Sequence, residues 1–250
     1  MNVCILGALG RMGKAVYLNS KDFNEINVVC GVDAFCENNT MPYPVYKTID
    51  QINEKIDVII DFSSPAVLDA ELEYAIKNNI GLVLCTTGYS DEQIEKIKLA
   101  SKKIAIFRSA NMSIGVNVLI NLVKKAATTI PEFDVEIIEK HHNQKVDAPS
   151  GTALMFADAI KEVHNEKNYI YGREGKPGKR TKDEIGIHAI RGGNIVGEHE
   201  IIFAGFNEII SLKHEALDRS LFANGALRAA IYLMDKSPAI YNMQNLVEEI

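Results

Sequence analysis

The first hundred or so residues alternate short, almost wholly apolar runs with amphipathic stretches, and that rhythm leaves few folds open. NVCIL, INVVCGV, DVIIDF, GLVLCT and IAIFRS carry almost no polar face, so each predicts a strand buried on both sides. Helical patterns lie between several of them, over Arg11 to Ser20, Pro65 to Asn78 and Asp91 to Lys102. Pro65 suits the first turn of its helix, where a missing N–H leaves nothing unsatisfied. Strands buried on both faces and separated by helices predict an α/β, Rossmann-like parallel-sheet domain over residues 1–110.

The pattern changes after Asn111. A long helix is predicted over Ile114 to Thr129, stopped before Pro131. DVEIIEKHH then reads as a strand, followed by a loop and a helix from Thr152 to Val163. The Gly- and Lys-rich stretch from Tyr171 to Lys182 is expected to be mobile. IGIHAIRGG, NIVGEHEIIFAG and NEIISLKHE read as strands joined by Gly and Asn turns. Residues 111–217 are therefore expected to form an α+β substrate-binding domain with a mixed or antiparallel sheet. A last helix, from about Asp218 to Asp235, is followed by a short tail. The segment of about 218–250 is expected to return to the first domain. Two crossings between domains predict hinge closure over a shared site.

Composition enters as a constraint on partners. The 250-residue chain has a net charge of -6, so no general positive field favours nucleic acid. An anionic substrate would need a local positive site. MNVCILGALG lacks a basic segment followed by a long apolar core, and no apolar run reaches membrane-spanning length, so a cytoplasmic location is expected, with no membrane partner. Cys4, Cys30, Cys36 and Cys85 form no CxxC pair and read as reduced, mostly packed thiols, with no metal site expected.

The first strand runs straight into Gly7-Ala8-Leu9-Gly10-Arg11-Met12-Gly13 and then a helix. Glycines at such a turn let the chain reverse and let a pyrophosphate approach the helix N-terminus. A tight strand–helix turn would explain the same glycines, and the spacing is GxxGxxG. The second strand ends in Gly31-Val32-Asp33, where an acid can accept from ribose hydroxyls. Turn, strand and acid together favour NADH or NADPH, with FAD the main competitor on this motif. Ala34 follows Asp33, so a 2′-phosphate would meet a carboxylate without an adjacent cation. NADH is therefore expected to be preferred, although Arg11 stands within reach of a 2′-phosphate. Later strand ends, Asp61 to Ser64, Thr86-Thr87-Gly88 and Ala110-Asn111-Met112, are expected to line the same crevice. The threonines suit a flat ring, but a helix cap before Asp91 would also explain them. Cys85 has no evident partner and reads as a packed thiol.

The most informative stretch is Glu139-Lys140-His141-His142-Asn143-Gln144-Lys145-Val146-Asp147-Ala148-Pro149-Ser150-Gly151-Thr152-Ala153. Histidines can supply protons near neutral pH, and the lysine supplies positive charge. N–H groups at Ser150, Gly151 and Thr152 can form an anion site at a helix start. Taken singly, surface histidines and a serine cap would explain each feature; their concentration in one loop favours chemistry.

This stretch resembles the E-x-H-H-x-x-K-x-D-A-P-S-G-T-A signature of the dihydrodipicolinate reductases. GALGRMG, DFSSP, TTG, SANMSIGVN, GREG, RGGNIVGEHEIIFAG and FANGALRAA resemble other blocks of that family, so the likeness spans nearly the whole chain. Cys85 stands where Gly is common, Met112 where Phe is usual, and the segment from Asp33 to Val45 is short. The resemblance implies a nicotinamide-dependent reductase of a small cyclic dicarboxylate on the diaminopimelate and lysine pathway. It implies cofactor binding by Gly7, Gly10, Arg11, Met12, Asp33, Thr86, Thr87, Ala110, Asn111 and Met112. It also implies proton donation by His141 assisted by Lys145, and substrate binding by His142, Ser150, Gly151 and Thr152. A homotetramer with contacts through the second domain's sheet is implied as well. Two other readings are another two-domain dehydrogenase of a small carboxylate, needing a catalytic Cys or Lys–Asp pair elsewhere, and a non-catalytic NADH sensor. The reductase reading requires the loop from His141 to Thr152 to face the nicotinamide.

Overall fold

The computed structural model describes residues 1–250. In chain order the elements begin with β1 (Asn2–Leu6), α1 (Arg11–Ser20), β2 (Asn27–Val32), β3 (Val45–Tyr46) and β4 (Val58–Asp61). Next come α2 (Leu68–Asn78), β5 (Gly81–Leu84), α3 (Asp91–Ala100), β6 (Ala105–Arg108) and α4 (Ile114–Thr129). Then follow β7 (Asp134–His141), α5 (Gly151–Val163), β8 (Asn168–Tyr171), β9 (Glu184–Arg191) and β10 (Gly197–Ala204). The chain closes with β11 (Ile209–Ala216), α6 (Ser220–Leu233), β12 (Ala239–Tyr241) and α7 (Met243–Glu249). Two compact units result. Unit 1 comprises Met1–Ile114 with Arg219–Ile250, and unit 2 comprises Gly115–Asp218.

Unit 1 is built on a seven-stranded sheet in the order β12-β6-β5-β4-β1-β2-β3, with every pairing parallel. The apolar runs have no polar face because both faces are covered. Val3 and Ile5 of β1 point into a core shared with α1, α6 and α7. Cys4 and Leu6 point the other way, against α2 and α3. Truncating a fully buried side chain here, such as Ile60 or Phe107, costs about 2–5 kcal/mol. Local signals set the helix ends. Ser90 and Gln93 form a reciprocal capping box at the start of α3, and α2 stops at Asn79 in the left-handed region, φ 54°. Pro65 opens a single 3-10 turn, Pro65–Val67, before α2 proper.

Unit 2 holds a five-stranded mixed sheet in the order β11-β10-β7-β9-β8. One face packs α4 and α5 around Val123, Val135, Ile137, Phe156, Ile185 and Phe203. The sheet is mixed, within the expectation, and of the last three strands β10 and β11 pair directly as a hairpin. β9 and β10 do not pair; β7 lies between them, parallel to β9 and antiparallel to β10. The expectation of mobility over 171–182 meets a difference. Arg173 bridges Glu136 and Glu184, and Arg180 contacts Asp134, Glu136 and the Val135 carbonyl, so guanidinium forks tie the stretch to β7. The tail after α6 contains a strand, β12 beside β6, and a helix, α7, whose Met243 and Leu246 enter the unit 1 core. No helix is long and apolar enough to cross a membrane.

Candidate active site

In unit 1, strand register brings several turns to one edge. Leu6 pairs Asp61, Asp61 pairs Leu84, and Leu84 pairs Arg108, so the chain leaves β1, β4, β5 and β6 side by side. Gly7 has φ +75°, and a Cβ there would lie 2.7 Å from the Phe62 carbonyl oxygen. A Cβ on Gly13 would lie 2.2 Å from the Gly7 carbonyl oxygen, so α1 passes tightly against the turn. Gly10 is the N-cap of α1 and offers no side-chain cap, leaving the helix start to backbone N–H groups. Beside it lies a cavity of about 830 Å³ lined by Gly7, Gly10, Asp33, Ala34, Phe35 and Ser64, among others, with Lys14 and Lys47. Asp33 accepts from the Leu9 N–H at 2.9 Å and the Phe35 N–H at 3.0 Å, which locks the glycine turn to the end of β2. Each of its oxygens keeps a lone pair for a hydroxyl. A positive-φ glycine, an open helix start, an acid at the second strand and an adjoining cavity together fit a dinucleotide.

The other expected cofactor residues are placed differently. Arg11, Thr87 and Ala110 are exposed, and Met12, Thr86 and Asn111 half-buried; none lines that cavity. Met112 is 4% exposed and packs into the core. Its carbonyl oxygen would be only 1.7 Å from a Cβ on Gly225 of α6. Two acids lie beneath the edge: Asp61, the first of an expected strand-end group, and Glu71, which the sequence did not single out. Asp61, fully buried, accepts from the Ser63 N–H at 2.8 Å, the Ser63 hydroxyl, and the Tyr89 hydroxyl at 3.2 Å. It joins the turn after β4 to the one after β5. Glu71 is 1% exposed and neither carboxyl oxygen has a hydrogen-bond partner. Burial, reinforced by Asp61, pushes its carboxyl well above the usual range. Burial likewise pushes the Cys85 thiol well up, which suits a packed thiol and not a nucleophile.

In unit 2 the alternation of β7 decides which side chains meet. Val135, Ile137, Glu139 and His141 share the buried face, so two polar groups continue the line of the core. Register sets His199 opposite Glu139 and Arg191 beside His141. Glu139 is fully buried. Its Oε2 meets His141 Nδ1 at 2.6 Å and Arg191 Nη1 at 2.7 Å. Its Oε1 accepts from Arg191 Nη2 at 2.7 Å and the Ser150 N–H at 3.0 Å. Burial opposes the charge, but His141, Arg191 and Ser150 outweigh it and hold the carboxyl at about 2. The imidazole is thereby fixed with its Nδ1–H on Glu139, leaving Nε2 for proton transfer.

The loop after β7 is anchored to β9 and its exit. The Gly192 N–H donates to the His141 carbonyl at 3.0 Å, the Asn143 N–H to Gly193 O at 3.2 Å, and Arg191 to Asp147 O at 2.7 Å. Lys145 pairs with Asp147 at 2.8 Å, and His142 is half-buried. Ser150 caps α5, accepting from the Ala153 N–H at 3.2 Å. One expectation changes. The Ser150 N–H is taken by Glu139 and cannot serve an incoming anion, so that role falls to exposed Gly151 and half-buried Thr152. Glu139, Arg191 and His199 were not assigned roles from sequence. Period-two alternation in EKHH and GEHEIIF, read against the core face, was the available signal. No group of three or more His, Cys, Asp or Glu side chains is placed to hold a metal ion.

Two family descriptions match this chain: "Dihydrodipicolinate reductase, N-terminus" over residues 1–112 and "Dihydrodipicolinate reductase, C-terminus" over residues 115–247. The chain belongs to the dihydrodipicolinate reductase family. Within that family it is 50% identical over 252 residues to a 4-hydroxy-tetrahydrodipicolinate reductase of Caldanaerobacter subterraneus, covering 100% of this chain and 99% of the relative. It is 50% identical over 245 residues to the Clostridium tetani protein of the same name, covering 97% and 95% respectively. A dipicolinate-bound dihydrodipicolinate reductase from a Paenisporosarcina species superposes with a TM-score of 0.82 at 26% identity, covering 98% of each chain. A probable dehydrogenase from Thermotoga maritima, at 12% identity and TM-score 0.61 over 99% of this chain and 93% of its own, shares the fold.

Proposed function

We propose that this member of the family reduces 4-hydroxy-tetrahydrodipicolinate to tetrahydrodipicolinate on the lysine and diaminopimelate pathway, in the cytoplasm. Reduced nicotinamide dinucleotide, when bound at the glycine turn of unit 1, supplies the hydride. The substrate's hydroxyl leaves as water together with a hydrogen of the adjacent ring carbon, which creates a conjugated C=C–C=N system, and after hydride addition His141 returns one proton from Nε2 to that carbon. Hydride delivered to a conjugated C=C–C=N system leaves negative charge that a positioned acid quenches, an effect of roughly 10²–10⁴-fold. Lys145 assists His141 and meets the substrate. His142, the Ser150 hydroxyl, Gly151 and Thr152 hold its carboxylates at the start of α5. Gly7, Gly10, Arg11, Met12 and Asp33 hold the phosphates and adenosine; Thr86, Thr87, Ala110 and Asn111 serve the nicotinamide end, with Met112 supporting them from the core.

The observation that carries this reading is the buried Glu139–His141 pair, 2.6 Å apart, beside the cap of α5. A carboxylate-held imidazole next to a helix-start anion site suits protonation of a carboxylate substrate. The test couples the upstream synthase to this protein and follows oxidation of the reduced cofactor by absorbance. His141→Ala and Lys145→Ala are each expected to cut turnover by about 10²-fold or more while leaving NADH binding intact. Near-normal rates in both would reject the reading.

NADH is the preferred cofactor in this proposal, because Asp33 and Ala34 line the adenosine cavity where a 2′-phosphate would meet a carboxylate. Lys14 and Lys47 line it too, but Lys47 is shared with Glu37 at 3.8 Å. A higher rate at limiting NADPH would overturn the preference. The protein is further proposed to be a homotetramer joined through the sheet of unit 2. Exposed Ile190, Ile209 and Ile210 on its strands support this, and light scattering measures it.

A further inference from the structure

His199 has no part in the reaction written above. It lies on the helix-facing side of β10, opposite Glu139, and is 4% exposed. Its Nε2 is 2.9 Å from Ser150 Oγ. Its ring stands edge-on to His141 with centroids 5.2 Å apart. Its Nδ1 is buried and has no hydrogen-bond partner. Burial, reinforced by the neighbouring His141, pushes the imidazole down to about 3, so the ring is uncharged near neutral pH.

A neutral imidazole has one N–H and two places to put it. On Nδ1, the N–H would be a buried donor without an acceptor. On Nε2, Nδ1 keeps only a bare lone pair. Orphaned buried N–H groups are the rarer case, and leaving a buried donor unmet carries its full desolvation penalty. Ser150 Oγ already accepts from the Ala153 N–H. With His199 Nε2–H as a second donor, both lone pairs of that oxygen are occupied. The hydroxyl hydrogen is then left for a group arriving at the helix start.

We propose that His199, as the Nε2–H tautomer, is a positioning residue that compels the Ser150 hydroxyl to donate, so that the start of α5 presents an O–H beside the Gly151 N–H to a substrate carboxylate. The assignment rests on the proposed carboxylate site at α5 and adds what orients its serine.

Dipicolinate, a flat ring with two carboxylates, is the probe, and its Kd is measured by calorimetry on the full chain. Ser150→Ala is expected to raise Kd roughly 10- to 100-fold, the loss of one hydrogen bond to a charged group. His199→Phe is expected to raise it as much, and to add nothing in the Ser150→Ala background. His199→Gln returns an N–H near the Nε2 position and is expected to stay within about twofold of the unsubstituted protein. Nitrogen NMR of histidine-labelled protein bound to dipicolinate should show His199 protonated at Nε2 and bare at Nδ1. A proton on Nδ1 in that complex, or additive losses in the double variant, would overturn the role. If His199→Phe does not fold, His199→Gln and the NMR spectrum decide. Unchanged affinity in Ser150→Ala would instead overturn the carboxylate site itself, whichever tautomer His199 adopts.

Discussion

Replacing Glu139 by glutamine keeps the size of the side chain and removes its charge. The carboxylate meets four donors: His141 Nδ1 at 2.6 Å, two Arg191 nitrogens at 2.7 Å each, and the Ser150 N–H at 3.0 Å. An amide can accept at only one end. Either His141 and one Arg191 nitrogen, or Ser150 and the other, then faces an NH₂ group. Breaking one partner of a buried pair costs about 3–5 kcal/mol. The fall of the Glu139 carboxyl from 4.5 to about 2 corresponds to roughly 3 kcal/mol. Because the Arg191 side chain is 20% exposed, solvent screening lowers the expected loss to about 2–3 kcal/mol.

The assay is hydrogen exchange over β7, which reads unit 2 locally in a chain where a single unfolding midpoint would mix two units. Protection should fall roughly 30- to 150-fold in Glu139→Gln at neutral pH. The sign with pH follows from the depressed carboxyl. Its contribution is fully present above about 4.5 and is lost as pH falls through about 2, so variant and unsubstituted protein should converge in acid. Turnover should drop about 10²–10⁴-fold with NADH affinity retained, because the imidazole loses its fixed orientation. Unchanged β7 protection together with unchanged turnover would refute the role given to Glu139.

Gly13→Ala would place a Cβ 2.2 Å from the Gly7 carbonyl oxygen, with backbone on both sides; a loss of about 1–3 kcal/mol and weakened NADH binding are expected by thermal shift and fluorescence titration. Glu71 is raised above its ordinary 4.5, so the folded protein keeps that proton longer than the unfolded chain, and stability is lost as pH rises above that value. Glu71→Gln is therefore expected to raise the hydrogen-exchange protection of unit 1, by an amount that grows as pH rises above about 5; a constant difference, or lower protection, would contradict this. Asp33→Ala removes the acceptor for the Leu9 and Phe35 N–H groups and is expected to raise the Kd for NADH about 10-fold or more. Arg191→Lys cannot reproduce the two-point contact with Glu139 and is expected to lower kcat more than it changes the KM for NADH, measured in steady state.

Much of unit 1 is legible because its strands are buried on both faces, and a run such as DVIIDF can hardly be anything else. Short edge strands such as Val45–Tyr46 and Ala239–Tyr241 leave no such mark, since two or three residues define no period. Unit 2 is legible as a mixed or antiparallel sheet but not in its strand order. β7 occupies the place between β9 and β10, and no local signal records a partner fifty residues upstream. The site divides in the same way. His141, Lys145 and Ser150 stand together in one loop and announce themselves. Arg191 and His199 reach Glu139 only through strand register, which is a property of the assembled sheet. Met112 shows the converse, a residue within a recognisable segment whose side chain belongs to the core.

The first unit is discontinuous in sequence, and this has a bearing on synthesis. Ala223, Ala226, Leu227, Ala230 and Leu233 fill one side of the parallel sheet, and all lie near the end of the chain. Until they are made, that side, an apolar plate of Val3, Ile5, Ile60, Val83 and Phe107, has α1 but not α6 or α7 to cover it. Nascent chains stalled before α6 should therefore engage chaperones that bind apolar surface, and release from them should coincide with emergence of α6 and α7.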